Sequence, residues 1–175
     1  VCDYRQGGYI ATKHLIDYGH RRIGCVAGKK NYQVTQERLE GYKMALQEAG
    51  ISYDEKLVVY GDYTMNSGYM LFSYIMGKKV TAIFSMNDEM AFGIYRAARM
   101  YGVSIPEEVS VVGFDNVPFA DVMQVPLTTI GIPVEEIGKY IGERTMELIE
   151  CTEKKGRNVR EYKPQLLLRG STRKI

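Results

Sequence analysis

Residues 81–93 have the sequence TAIFSMNDEMAFG, and this stretch decides the fold class. The run 80–84, at the start of this stretch, is short, apolar and rich in β-branched residues, which predicts a buried strand. Asn87 then provides a helix N-cap, and Asp88 and Glu89 lie where the positive end of a helix dipole favours acids. A strand that leads directly into a helix is half of a βαβ unit. In open α/β sheets, ligands bind at this junction, at the carboxyl end of the strand.

The same alternation of strand and helix extends along most of the chain. The predicted strands are 23–27, 57–60, 80–84, 109–114, 127–130 and 162–169, the last confined to an edge by Pro164. The predicted helices are 8–18, one that Thr35 caps, one that Thr64 caps, one that Asn87 caps, and 134–150. This order predicts an α/β fold with a doubly wound parallel sheet and right-handed crossovers.

The composition is that of an ordinary globular protein. The 175 residues are 45% hydrophobic and 25% charged, and the net charge of +2 is too small to indicate nucleic-acid or membrane binding. Cys2, Cys25 and Cys151 are odd in number and far apart, which disfavours a disulfide framework and fits a reducing compartment. No apolar run reaches the roughly 18 residues of a membrane span. Because the chain begins at Val1 without a methionine, we expect it to be the inside of a longer protein.

Arg38 and Asp115 are the first candidate binding residues. Arg38 is predicted in the first turn of the helix that Thr35 caps, where the positive end of the helix dipole disfavours a cation. A residue placed against such a local preference is a candidate for a functional site. Its guanidinium can hold neighbouring hydroxyls or a carboxylate of a ligand. The alternative is that Arg38 is exposed to solvent and forms an ion pair with a nearby glutamate. Asp115 follows the fourth predicted strand, where it either binds hydroxyls or Arg38, or begins a turn.

Three further candidates lie at similar junctions. Asp3 and Asn87 each precede a helix and are explained equally well as N-caps. Tyr63 lies between a strand and Thr64, where its ring can stack on a sugar or a base, although any single one of 14 tyrosines is more often packing. A parallel sheet brings such junctions to one edge. We therefore predict that a polar crevice is lined by Asp3, Arg38, Tyr63, Asn87 and Asp115.

Signatures of enzymes and metal sites are missing from the sequence. His14 falls in a helix stripe and His20 in a turn, and neither has metal-ligand spacing to a cysteine or an acid. The motifs GxSxG, CxxC, HExxH and GxGxxG do not occur. We predict no catalytic residue, no metal site and no cofactor, and an α/β enzyme is the weakest functional alternative.

Four short motifs occur in a fixed order along the chain. They are ERLEGY at 37–42, NDEMA at 87–91, VSVVGFDN at 109–116 and PLTT at 126–129. In order and approximate spacing they resemble the LacI/GalR family of bacterial transcriptional regulators, and the resemblance covers nearly the whole chain. It implies a fold of the periplasmic-binding-protein-like type I, in which two α/β lobes hold an effector in the cleft between them.

The resemblance also implies roles for individual residues. Arg38 corresponds to the family arginine that grips effector hydroxyls or a purine, and Asp115 to the aspartate that faces it across the cleft. Asp3, Tyr63 and Asn87 correspond to residues that line the same pocket. Many relatives carry Gln before Pro after the PLTT motif, whereas this chain has Ile at 132, which removes one expected polar contact from the first lobe.

The resemblance divides the chain between the two lobes. Residues 20–128 with 162–175 are expected to form the C-terminal lobe of the effector-binding domain, and residues 1–19 with 131–160 to be a remnant of a truncated first lobe. The apolar stripes of the helices 8–18 and 134–150 then lack their usual cover, so we expect the chain to bury them by self-association.

Two functions remain open at this point. The first is the effector-sensing and dimerisation fragment of a cytoplasmic, sugar-responsive transcriptional repressor, which acts as a homodimer by population shift. Such a protein reaches operator DNA only through an N-terminal helix-turn-helix that this sequence does not contain, and it has no membrane partner. The alternative is an extracytoplasmic sugar-binding protein of an ABC transporter. The cysteine pattern and the motifs favour the regulator.

Overall fold

A six-stranded sheet forms the centre of the structure, a computed structural model that describes residues 2–150 and 159–175. The strands are β1 (Ile23–Ala27), β2 (Val58–Tyr60), β3 (Ala82–Ser85), β4 (Ser110–Asp115), β5 (Thr128–Gly131) and β6 (Gln165–Leu167). Their order across the sheet is β2-β1-β3-β4-β5-β6, and every neighbouring pair is parallel except β5 with β6. The order 2-1-3-4-5 is that of a doubly wound sheet whose topological switch point lies between β1 and β3.

Helices cover both faces of this sheet. They are α1 (Tyr4–Asp17), α2 (Gln33–Glu48), α3 (Met65–Met76), α4 (Asp88–Tyr101) and α5 (Val134–Glu150). Helix α1 packs against α2 and helix α3 against α4, and right-handed crossovers place these two pairs on opposite faces. Strands β1, β3 and β5 are buried along their whole length, as expected for strands covered on both sides. The predicted doubly wound α/β fold is confirmed.

The N-caps of the helices agree with the sequence in three of four cases. Asp3 accepts from the backbone N–H of Gln6, Thr64 from that of Ser67, and Asn87 from that of Met90. The cap predicted at Thr35 is wrong because α2 already begins at Gln33. The buried Thr35 hydroxyl is instead 2.6 Å from the hydroxyl of Tyr63. Arg38 therefore lies in the second turn of α2 and not in the first.

Helix α1 is an integral part of this packing. Gly8 lies so close to α2 that an added Cβ would overlap the carbonyl oxygen of Arg38, and Gly41 is equally close to the backbone of α1. The apolar side chains of Ala11, Leu15 and Ile16 are buried against α2 and the sheet. The prediction that the apolar stripe of this helix lacks cover is therefore wrong, because α2 and the sheet cover it within the same chain.

Helix α5 behaves differently, since none of its residues is buried. The side chains of Ile141, Leu148 and Ile149 are each more than half exposed, so the predicted lack of cover is confirmed for this helix. Strand β6 lies at the edge of the sheet, as predicted, although it is shorter than 162–169. Most of the predicted charged connector 152–160 lies outside the described residues. The division of the chain between two lobes stays a prediction.

Candidate functional site

Arg38 and Asp115 meet at the edge of the sheet where the parallel strands end. Asp115 is the last residue of β4, and Arg38 reaches it from α2, which follows β1. Arg38 Nη2 lies 3.1 Å from Asp115 Oδ1 in a hydrogen-bonded ion pair. Through Nη1 the same guanidinium donates to the carbonyl oxygen of Met86, directly after β3. Arg38, on the helix that follows β1, therefore joins the ends of β3 and β4 beside the switch point, where ligands bind in sheets of this kind.

The surroundings of Arg38 are mostly apolar. Its side chain is only 5% exposed, and Cζ lies 3.7 Å from the ring centroid of Phe114 and 5.0 Å from that of Tyr4, which are cation–π contacts. Burial raises the pKa of Asp115, and the neighbouring Arg38 opposes this rise. Among the described residues Arg38 Nε finds no hydrogen-bond partner, which is rare for a buried donor. The pair thus holds a buried guanidinium side by side with a partly exposed carboxylate.

Tyr63 and Asn87 are the second pair that the structure brings together. Asn87 Nδ2 donates to the carbonyl oxygen of Tyr63 at 2.9 Å, while its Oδ1 caps α4. Tyr63 has a φ of 72°, and its ring lies against Gly28, directly after β1, so closely that a Cβ there would overlap the ring. The Tyr63 hydroxyl is fixed by Thr35 of α2. These contacts place both residues at the same sheet edge as the ion pair.

Asp3 lies at the rim of this region. It is exposed, caps α1 with Oδ1, and precedes Tyr4, whose ring contacts the guanidinium of Arg38. The structure therefore brings four of the five predicted residues together in two bonded pairs, Arg38 with Asp115 and Asn87 with Tyr63. It links Asp3 to the first pair through Tyr4.

A cavity of about 780 Å³ opens beside Asp115. Its lining includes Asn116 and Arg169 as well as Ile132 and Pro133, which follow β5. Because Ile132 and Pro133 carry no polar side-chain group, this part of the wall is apolar. Asp115 of the ion pair therefore lines a space large enough for a small molecule.

Sequence reasoning missed two residues that support Asp115. Asp88 was assigned only to the helix dipole, and Arg169 only to the end of the last strand. In the structure Asp88 accepts from the backbone N–H of Val117, and Arg169 donates to the side chain of Asn116. The sequence contains one signal for such a role, namely that Asp88 directly follows the candidate site residue Asn87 in the NDEMA motif.

Residues 2–150 and 159–175 contain no group of three or more His, Cys, Asp or Glu side chains that could hold a metal ion. None of the helices in these ranges combines the length and apolar character of a membrane-spanning helix.

A family model described as periplasmic binding protein-like domain matches residues 12–172. The chain belongs to this family. Among curated proteins it is 37% identical to the HTH-type transcriptional repressor PurR of Vibrio campbellii, over all of this chain and 53% of that protein. This family member thus spans about half the length of the curated relatives it matches, among them the HTH-type transcriptional regulator DegA of Bacillus subtilis.

Solved structures of transcriptional regulators are also similar to this family member. A LacI family transcriptional regulator from Enterococcus faecium with bound ribose is 30% identical, with a TM-score of 0.91 over 99% of this chain and 65% of that one. A complex of the transcriptional regulator CelR with cellobiose is 34% identical, with a TM-score of 0.88 over 97% of this chain and 52% of that one. The resemblance to the LacI family that the four motifs predict is confirmed.

Proposed function

We propose that the chain is the effector-sensing part of a cytoplasmic, LacI-type transcriptional repressor that binds a sugar. The observation that carries this proposal is the ion pair of Arg38 and Asp115 at the switch point of a periplasmic-binding-protein-like sheet. DNA binding belongs to a helix-turn-helix outside this chain. The chain itself is a binding module and not an enzyme.

The chemistry of the pair suits a polyhydroxylated ligand. A guanidinium offers several donors in one plane, and a carboxylate offers only acceptors, so together they fix two neighbouring hydroxyl groups. The ring of Tyr63 lies at the same edge and provides an apolar face on which a sugar ring stacks. The sugar-bound relatives, with ribose in one and cellobiose in the other, support this class of ligand.

The regulatory mechanism follows from differential affinity. An effector shifts an equilibrium between two lobe arrangements only to the extent that it binds one of them better. Arg38 and Asp115 contribute to that difference because they hold the ligand from this lobe, while the opposite lobe closes over it. An extracytoplasmic sugar-binding protein has the same fold, but the regulator names of the matched relatives favour the repressor.

We propose in addition that the protein is a homodimer. Two exposed apolar surfaces support this, namely the stripe on α5 and a groove of about 530 Å³ beside α4. The groove is lined by Phe92, Phe119 and Met123 and also carries Arg96 and Glu107. Cationic and acidic groups on one surface can pair reciprocally across a two-fold axis, as a dimer of identical chains requires.

A ligand screen with a matched variant tests the proposed function. D-ribose, cellobiose and hypoxanthine are added to a full-length regulator that contains this chain, and the melting temperature is followed. We expect a sugar to raise the melting temperature, and titration calorimetry to show at least about a tenfold weaker affinity for that sugar in Arg38→Ala. Stabilisation by hypoxanthine alone would replace the sugar by a purine. Unchanged affinity in Arg38→Ala would remove Arg38 from the site.

A further inference from the structure

We infer that Asp88 and Arg169 are positioning residues that hold the Asp115 carboxylate towards Arg38 by clamping the turn 115–117 from two sides. This inference rests on the proposed function, in which Asp115 binds the effector. Neither side chain is part of the Arg38–Asp115 pair. Both act through the backbone and side chain of the two residues that follow Asp115.

The turn needs support because of its backbone geometry. Asp115 has a φ of 107° and Asn116 a φ of 55°, and both angles lie in the left-handed region that side-chain-bearing residues rarely adopt. Such conformations persist only where the surroundings hold them, and they concentrate at ligand-binding sites. Relaxation of φ at Asp115 would rotate its carboxylate away from the guanidinium.

Asp88 supports the turn from within the core. It is fully buried, its Oδ2 accepts from the backbone N–H of Val117 at 2.9 Å, and its Oδ1 accepts from Thr129 Oγ1 at 2.6 Å. The carboxylate also packs closely against Gly113, since a Cβ there would overlap Oδ1. Asp88 thereby ties the first residue of α4 to the turn and to the middle of β5.

Arg169 supports the turn from the opposite direction. Its Nη2 donates to Asn116 Oδ1 at 2.8 Å, and its Nη1 donates to the carbonyl oxygen of Leu127 at 2.8 Å. Its backbone N–H donates in turn to Thr128 Oγ1. Because this fork is anchored on the segment that enters β5, Asn116 is fixed relative to the same strand that Asp88 contacts.

A double-mutant cycle on this chain tests the clamp without any ligand. Urea unfolding gives the effect of Arg38→Met on the unfolding equilibrium constant in the presence of Asp115 and in Asp115→Asn, and the ratio of these two effects is the coupling constant of the pair. It is measured in the parent chain and in two backgrounds, Arg169→Met and Thr129→Val. Arg169→Met removes both hydrogen bonds of the guanidinium, Thr129→Val removes the hydroxyl that donates to Asp88, and both backgrounds leave Arg38 and Asp115 in place. Ser110→Ala, a buried hydroxyl at the opposite end of β4, is the matched control.

We expect the coupling constant to fall at least about fivefold in Arg169→Met and in Thr129→Val and to be unchanged in Ser110→Ala. A purely structural role lowers the stability of the backgrounds but leaves the coupling intact, so an unchanged coupling constant in both would overturn the inference. D-ribose and cellobiose affinity is then measured for Asp115→Asn in the full-length protein. If the coupling falls but this affinity is unchanged, the positioning role stands and the proposed function fails.

Discussion

The side-chain amide of Asn87 spans two elements, because its Nδ2 donates to the carbonyl oxygen of Tyr63 while its Oδ1 accepts from the backbone of Met90. The residue that caps α4 therefore also holds the backbone of Tyr63, which has a φ of 72°. Capping and site support are thus joined in one side chain. The two roles are separable, since a hydroxyl caps a helix as well as an amide does but does not reach Tyr63.

Substitution of Asn87 is expected to separate stability from binding. Asn87→Ser keeps a cap and loses the bond to Tyr63, whereas Asn87→Ala loses both, so we expect Asn87→Ala to cost about 1 kcal/mol more in the free energy of unfolding. Both variants should weaken affinity for the best sugar of the screen about fivefold, because both release Tyr63. Urea unfolding and titration calorimetry measure the two quantities. Wild-type affinity in Asn87→Ser would mean that Tyr63 needs no support from Asn87.

Gly8 permits the contact between α1 and α2, and its substitution tests whether α1 belongs to this core. We expect Gly8→Ala to lower the free energy of unfolding by about 3 kcal/mol, because the new Cβ overlaps backbone atoms that cannot move alone. Gly138→Ala is the matched control. It lies in α5 with no atom within 4 Å of the new Cβ, so the same change should raise stability by about 0.5 to 1 kcal/mol. Equal effects of the two substitutions would contradict the close packing of α1.

His14 makes the stability of the protein depend on pH. Its ring is buried with Nε2 3.0 Å from Thr172 Oγ1, and burial lowers its pKa from 6.5 to about 4. Between these two values the unfolded chain takes up a proton that the folded chain does not. Stability is therefore lost as the pH falls from about 7 to 4, by roughly 3 kcal/mol for His14 at the lower limit. His20 is also buried with a lowered pKa and adds to this loss.

Urea unfolding between pH 4.5 and 7.5 checks this dependence. His14→Gln should flatten the loss of stability at acidic pH and leave the part of that loss that His20 contributes. Asp88 acts in the opposite direction, because burial raises its pKa to about 6 and the folded chain takes up that proton first. Asp88→Asn should therefore steepen the acid loss. A profile that is unchanged in His14→Gln would show that the imidazole titrates normally in the folded protein.

Local signals in the sequence were sufficient for the sheet, its helices and most of the caps. They also predicted that Arg38 and Asp115 lie at one edge of the sheet, because parallel strands bring their carboxyl ends together there. The start of α2 was wrong because the Thr35 hydroxyl is used by Tyr63, 28 residues away. The contact of Arg169 with Asn116 joins residues 53 positions apart, and no periodicity or spacing encodes such a pair.

The packing of α1 was missed for a related reason. In the sequence alone, a glycine inside a helix indicates only a low helix propensity. The position of a second helix is needed to show that this glycine permits contact between two backbones. Gly8 and Gly41 serve this purpose from opposite sides of one crossing. The assignment of this helix to an uncovered remnant came from the family resemblance and not from the residues themselves.

The exposed stripe on α5 predicts that the chain self-associates. Full burial of one such aliphatic side chain contributes about 1.5 to 3 kcal/mol, so burial of the stripe on both chains of a dimer offsets much of the free-energy cost of association. We expect the mass from analytical ultracentrifugation to rise with concentration, and the double variant Ile141→Glu with Leu148→Glu to abolish the rise. Glu143→Gln, on the same helix, should leave it unchanged. If Phe119→Ser abolishes the rise instead, the groove beside α4 is the interface, and a constant monomer mass in the parent chain would contradict self-association through either surface.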